Sequence, residues 1–391
     1  MSRLLSRRSL LATAAASAII TVPLATAASA RSRRTPTPPR LTLPAPTGPY
    51  PLGTVSLHLI DRTRVDPWQA SRPTRELMIQ LWYPTLATPG HPYAPWMSPG
   101  AAALFEQAQG IPPGALLLPT THARSDTPVD WSRCGRPVVL YSPGLRSDRS
   151  LGTVLIEELA SHGYLVVAID HTYDADQVEF PDGRVETFAI TGDIDDALIA
   201  KALAVRTADI RFVLDQLAAL NAGRRPLSGA FDLSCVGMFG HSLGGAATAA
   251  TMRADRRVRA GVNLDGSLLP PVTAGTGRPF LLFGSDPGVG SEDPSWDQFW
   301  ASQYGWKREL ALAGSTHISF TDLETLLPQA APILGLTPEQ VTQAIGTLEP
   351  DRAIHAQRDY VRAFFDLHLR RLDSRLLQRP SAGYPQVRFV R

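Results

Sequence analysis

Residues 236–250 read "VGMFGHSLGGAATAA", and this stretch decides the fold. The apolar run "CVGMF" that leads into it has the pattern of a short buried strand, and "GAATAATM" after it is helix-forming. Between them lies Gly240-His241-Ser242-Leu243-Gly244, a single serine on a strand-to-helix turn built from small residues. A turn of this kind is cramped, and small neighbours relieve the clash while the serine hydroxyl stands clear of both elements. A serine hydroxyl is a weak nucleophile at neutral pH, so the rest of the chain has to supply a base, an acid and oxyanion donors.

Working outward, apolar runs bounded by turn residues alternate with helical patterns. "TVSLHLIDRTR" (54–64) and "RELMIQLWYP" (75–84) alternate as partly exposed strands do. Six further runs are short and nearly continuous: residues 136–144, 164–172, 232–242, 258–266, 278–286 and 307–317. Such runs suit strands buried on both faces of a mainly parallel sheet. Amphipathic helical stripes lie between them, through Val154, Ile156 and Leu159 and through Leu203, Ile210, Leu214 and Leu217, and a long one follows near the C-terminus. The pattern predicts an α/β class chain with a mainly parallel eight-stranded sheet and helices on both faces, in the order of an α/β-hydrolase fold. The long stretch 85–132 separates the second and third strands, and its apolar residues could cover an acyl pocket or pack on the sheet.

The chain has 391 residues, 44% hydrophobic and 19% charged, an ordinary globular balance. Its first thirty residues carry Arg3, Arg7 and Arg8 and no acid, and without them the formal charge of +2 falls close to neutral. No basic stripe points to nucleic acid. Those thirty residues have a basic start, an apolar run and Ala28-Ser29-Ala30 as a small-residue cleavage site, the pattern of a secretory signal peptide. The Arg7-Arg8 pair places it with the twin-arginine type. Residues 31–48, "RSRRTPTPPRLTLPAPTG", read as a Pro-rich flexible linker, and residues 49–391 as a single domain. In an exported protein the two cysteines, Cys134 and Cys235, can form a disulfide, since each sits just ahead of a strand run; the other reading is two small buried hydrophobes.

The α/β-hydrolase order places an acid and then a histidine after the serine. Of nine histidines, only His317, His355 and His368 lie beyond the candidate acids. His355 and His368 belong to the C-terminal helix pattern, whereas His317 follows the last apolar run directly and is the expected base. Asp265 ends the run 258–266 and Asp286 ends the run 278–286, and either can reach the imidazole to hold its tautomer. The amide of Leu243 is one expected oxyanion donor. The other comes from the loop Ser142-Pro143-Gly144-Leu145, where Pro143 has no N–H and Leu145 is left to donate. Trp296, Phe299 and Trp300 share one helical face and could line a pocket mouth or fill the core. No paired His/Cys spacing or carboxylate cluster points to a metal, and no Gly-rich phosphate loop points to a nucleotide cofactor.

Taken together, "DRTRVDPW", "RELMIQLWYP", "YSPGL", "GHSLGGA", "NLDGSL" and "GSTHISFTDL" resemble the plasma-type platelet-activating factor acetylhydrolase family, and especially its secreted bacterial relatives. The likeness runs from about Pro49 to about Leu369. In that family the acid follows the sixth strand, which assigns the role to Asp265. The family's Ser-His-Gly-Leu oxyanion loop is Ser-Pro-Gly-Leu here, with Leu145 in the donor position. The resemblance implies hydrolysis of short or oxidised acyl esters of phospholipids without calcium, with contact to a lipid surface. Its bacterial relatives are often broad esterases. A cutinase-like lipase or polyester hydrolase using Asp286, an acyltransferase, and a non-catalytic lipid-binding protein are the alternatives on the same fold.

Overall fold

The computed structural model describes residues 37–86, 89–132, 135–223, 227–270, 274–286 and 293–391. Its strands are β1 (Leu52–Asp61), β2 (Arg75–Pro84), β3 (Tyr93–Pro95), β4 (Thr120–Ser125), β5 (Arg136–Ser142), β6 (Leu165–Asp170) and β7 (Gln177–Glu179). They continue with β8 (Val185–Thr187), β9 (Phe231–His241), β10 (Val258–Leu264), β11 (Phe280–Asp286), β12 (Lys307–Ala313) and β13 (Val387–Phe389). The α-helices are α1 (Pro99–Ala108), α2 (Thr153–Ser161), α3 (Asp196–Ala222), α4 (Leu243–Ala254), α5 (Pro294–Ser302), α6 (Leu323–Leu334), α7 (Pro338–Ile345) and α8 (Pro350–Arg370).

One sheet runs β13-β12-β11-β10-β9-β5-β6-β2-β1-β4-β3, with β7 and β8 paired apart from it. From β6 through β12 the neighbours are parallel, while β2 is antiparallel to both β6 and β1. This is the doubly wound α/β-hydrolase arrangement. Each of the eight apolar runs forms a strand, but the sheet has eleven strands rather than eight. The additions, β13 at one edge and β4 with the edge strand β3 at the other, are three to six residues long. Edge pairing needs backbone complementarity more than an apolar run, so their sequences carry no comparable signal.

The middles of the inner strands are nearly continuous in apolar residues because both faces are covered. Val138 and Leu140 of β5 lie in one core cluster with the α3 residues Ile210, Val213 and Leu217. Val139 and Tyr141 lie in the opposite cluster with the α2 residues Leu155 and Leu159 and the α8 residues Tyr360 and Phe364. Neighbouring side chains point to opposite faces of a strand, so a strand sandwiched by helices reads as one continuous hydrophobic run.

The excursion between β2 and β5 is built into the body. Trp96, Met97, Phe105 and Leu116 form a third cluster with Leu151, Val154, Leu326 and, from the Pro-rich segment, Leu41 and Leu43. The described part of that segment is therefore no free tether. Leu41 and Leu43 are each 5% exposed, and the Thr42 amide donates to Gln329 Oε1 at 2.9 Å. The Pro residues hold the backbone extended, so alternate side chains of "LTL" point the same way into a groove. Residues 1–30 lie outside the described residues. Among the described residues no helix is long and apolar enough to cross a membrane. Cys235 is half-buried in β9, and Cys134 lies outside the described residues, as does any pairing between them.

Candidate active site

Register brings the chemistry together at the carboxyl ends of the strands. Ser142 of β5 pairs with Gly240 of β9, and Leu264 of β10 pairs with His241, so the ends of three strands lie side by side. Ser242 sits between β9 and α4 with φ 55° and ψ −123°, a left-handed conformation that a residue with a Cβ adopts only under constraint. Its hydroxyl makes no capping bond to α4 and is left free for other partners. The turn closes because Gly244 has no side chain: a Cβ there would lie 1.9 Å from the Ser142 carbonyl oxygen.

His317 opens the short 3₁₀ turn that follows β12, and it is partly exposed. Its Nδ1 lies 2.7 Å from Oδ2 of Asp265. Asp265 follows β10 with φ 54°, is fully buried, and accepts from the Ser285 amide at 2.7 Å and from the Ser285 hydroxyl at 3.0 Å. Burial alone would raise its pKa, but the hydrogen bond and charge interaction with His317, together with the Ser285 amide, hold the carboxyl below its ordinary value. A carboxylate on Nδ1 fixes the imidazole tautomer and leaves Nε2 to take a proton.

Asp286 does not share this arrangement. It forms an ion pair with Arg388 of β13 at 2.5 Å. His241 packs against the His317 ring with centroids 4.5 Å apart, and its Nε2 lies 3.0 Å from the His317 carbonyl oxygen. Burial and the neighbouring His317 lower the His241 pKa to about 3, so His241 stays neutral and donates from Nε2. His355 is exposed, and His368 packs against Trp306 and Phe364.

The loop after β5 stands next to the serine: a Cβ on Gly144 would come within 3.3 Å of Ser242 Cβ. Among the described residues the N–H groups of Leu145 and Leu243 have no hydrogen-bond acceptor in the protein. Two unengaged amides beside a serine can receive an anionic oxygen. A polar cavity of about 200 Å³ begins just past this loop, at Asp148, Arg149 and Ser150, and neither Ser242 nor His317 lines it.

Trp296 of α5 borders a cavity of about 280 Å³ with Gly284, Ser285, Glu309 and Arg388, which neither Ser242 nor His317 lines. Trp296 and Phe299 are 1% and 3% exposed and belong to the core, while Trp300 stacks under Lys307 and Arg391. The Trp296 indole donates to the Gly266 carbonyl at 2.7 Å, so it supports the turn that carries Asp265. The helix packs against the sheet, and its i, i+3 stripe is the face it buries.

The family model for "Platelet-activating factor acetylhydrolase, isoform II" matches residues 37–179 and 211–374. The chain belongs to the platelet-activating factor acetylhydrolase family. A "Probable 1-alkyl-2-acetylglycerophosphocholine esterase" of Arthroderma benhamiae is 28% identical over 90% of this chain and 95% of its own length. A "Platelet-activating factor acetylhydrolase" of Cavia porcellus is 24% identical over 72% of this chain and 69% of its own. Among solved structures, a ferulic acid esterase from Streptomyces cinnamoneus superposes with a TM-score of 0.76 at 37% identity, covering 90% of this chain and 99% of that one. This member of the acetylhydrolase family is thus a carboxylic ester hydrolase on an α/β-hydrolase fold. One residue of the site escaped the sequence reading: Ser285, which grips Asp265 from β11. Its only signal is its place in "GSD" at a strand end, a position that shows its partner only once β10 and β11 are paired.

Proposed function

We propose that this acetylhydrolase-family chain is an exported serine esterase that cleaves short and medium acyl esters, glycerophospholipid esters among them, through an acyl-enzyme. Ser242 Oγ attacks the ester carbonyl while His317 Nε2 takes its proton. Asp265 holds the imidazole and stabilises the imidazolium, and the amides of Leu145 and Leu243 receive the tetrahedral oxygen. His317 then returns the proton to the leaving alcohol, and water releases the acid by the same steps in reverse order. The observation that carries this reading is the 2.7 Å contact between His317 Nδ1 and Asp265 Oδ2, beside a serine held at positive φ with its hydroxyl uncommitted. Export rests on residues 1–30, read as a twin-arginine leader ahead of one catalytic domain.

A second substrate reading, esters of hydroxycinnamic acids, is favoured by the 37% identity to the ferulic acid esterase. Rates on p-nitrophenyl esters of increasing chain length, on a 2-acetyl glycerophosphocholine and on methyl ferulate separate the two. The expected order has short acyl esters ahead of the ferulate. Ser242→Ala abolishes turnover of all of them, by roughly 10⁴-fold or more. Undiminished hydrolysis by the folded Ser242→Ala protein overturns the assignment. An added acceptor alcohol that diverts most of the acyl group would identify transfer in place of hydrolysis.

A further inference from the structure

A second array of serine, histidine and aspartate lies just behind the oxyanion loop. Ser142 Oγ is 3.0 Å from His171 Nε2, and His171 Nδ1 is 3.0 Å from Asp209 Oδ2. All three side chains are buried, at 0%, 1% and 0% exposure, so no ester reaches the Ser142 hydroxyl. Asp209 is fixed in turn by Arg75, whose Nη2 and Nε approach its two oxygens at 2.7 Å and 3.1 Å. On the other side, the fully buried Arg206 of α3 lies 3.3 Å from Ser142 Oγ through Nη1 and donates to the carbonyls of Pro143 and Gly144, the latter at 2.9 Å. Asp174 holds the same guanidinium, with Oδ2 accepting from Nε at 2.7 Å.

We propose that Ser142, His171 and Asp209, joined to Arg206 and Asp174, form a buried brace that aims the Leu145 amide into the reaction site. This rests on the assignment of Ser242 as nucleophile and Leu145 as oxyanion donor. The Gly144–Leu145 peptide is trans, so its C=O and N–H point in opposite directions. The guanidinium holds the Gly144 oxygen on the buried side, which turns the Leu145 N–H toward the open side, where Gly144 borders Ser242. The next residue is fastened as well: the Arg146 amide donates to the Asp174 carbonyl at 3.0 Å. A guanidinium on the carbonyl oxygen also polarises the peptide and strengthens its N–H as a donor.

The protonation pattern is self-consistent. Burial and the adjacent Arg206 lower the His171 pKa, which keeps the ring neutral, with Nδ1–H toward Asp209 and Nε2 accepting from Ser142. The Ser142 oxygen is then free to accept from Arg206. Burial would raise Asp209, but Arg75 and His171 hold it well below its ordinary value, so the carboxylate end of the brace stays charged. These are positioning residues: none touches the substrate, and each acts through the Gly144–Leu145 peptide.

Two variants test the brace. Arg206→Lys keeps the charge and loses the fork, and should lower kcat by about 10²-fold, the scale of losing one oxyanion donor, with KM little changed. Ser142→Ala removes one hydroxyl and should lower kcat by about two- to tenfold. For each, sites are counted with a fluorophosphonate, and the inhibition constant is measured for a trifluoromethyl ketone that forms a hemiketal oxyanion. The expected result is an inhibition constant that rises by the same factor as kcat/KM per active site falls. A purely structural role would reduce the number of active sites and leave that affinity at the parent value, which overturns the proposal. Where Arg206→Lys does not accumulate folded, Ser142→Ala decides alone. Parent-like kcat and affinity in Ser142→Ala, with Ser242→Ala inactive, defeats the brace and leaves the esterase reading standing. Full hydrolysis by Ser242→Ala defeats both.

Discussion

At Asp265 and Asp286 the residues differ little in sequence and greatly in surroundings. Both end apolar runs, and both lie before His317 in the order the fold requires. Asp265 is buried with its oxygens on His317 and Ser285, whereas Asp286 is spent on Arg388 at the sheet edge. Asp265→Asn should therefore lower kcat by about 10⁴-fold, because an amide on Nδ1 favours the wrong tautomer. Asn tolerates the positive φ at that position, so the backbone is not the cause of the loss. Asp286→Asn should leave kcat within about threefold of the parent, since it disturbs only a partly exposed ion pair. Equal losses in the two variants would show that Asp265 is not the residue that orients His317. Ser242 itself was legible from its turn, because crowding by small residues is a local property. Ser285 was not, because its role exists only across a strand pair.

At the scale of elements, the segment that leaves His317 carries two buried carboxyls. Asp322 accepts from the Val154 amide at 3.0 Å and from the Trp96 indole at 2.9 Å, so it ties the histidine segment to the start of α2 and to the β3–α1 excursion. Burial raises its pKa to about 7. Glu324, in the first turn of α6, is fully buried with neither carboxyl oxygen hydrogen-bonded, and burial raises it to about 8. Between the ordinary value of 4.5 and about 8 the native state keeps a proton that the unfolded chain has released. Stability from this group is then full below that window and is lost as pH rises through it. Glu324→Gln should flatten the decline of Tm between pH 5 and pH 8, raising Tm at pH 8 by about 2–4 °C for each kcal/mol recovered and leaving it unchanged near pH 4.5. A parallel pair of Tm curves would mean that Glu324 is already ionised in the native protein. Neither carboxyl could be recognised from "SFTDLET", because a helix-start pattern with acids in its first turn ordinarily faces solvent.

Across the whole molecule, the segment before β1 is a strap that reaches elements far away in sequence. Leu41 and Leu43 fill a cluster with Trp96, Phe105 and Leu326, and Thr47 donates to Glu158 at 2.6 Å. A protein that starts at residue 49 should lose about 3 kcal/mol or more of unfolding free energy, the burial of two leucines, read as a lower denaturant midpoint. An unchanged midpoint would show that the strap rests on the body without supporting it. By composition the strap looked like a linker, since prolines and threonines dominate and only two leucines signal otherwise. The sequence by itself determined the parallel sheet, the serine on its turn and the order of serine, acid and histidine. Strand periodicity, turn chemistry and chain order are all local or linear properties. Only the tertiary structure decided which aspartate meets His317, that α5 buries Trp296 and Phe299, that the strap is packed, and that Arg206 stands behind the loop after β5. Those outcomes depend on which buried groups face one another across strands and helices. In a low-dielectric interior each such group is costly unless its partner is placed to meet it.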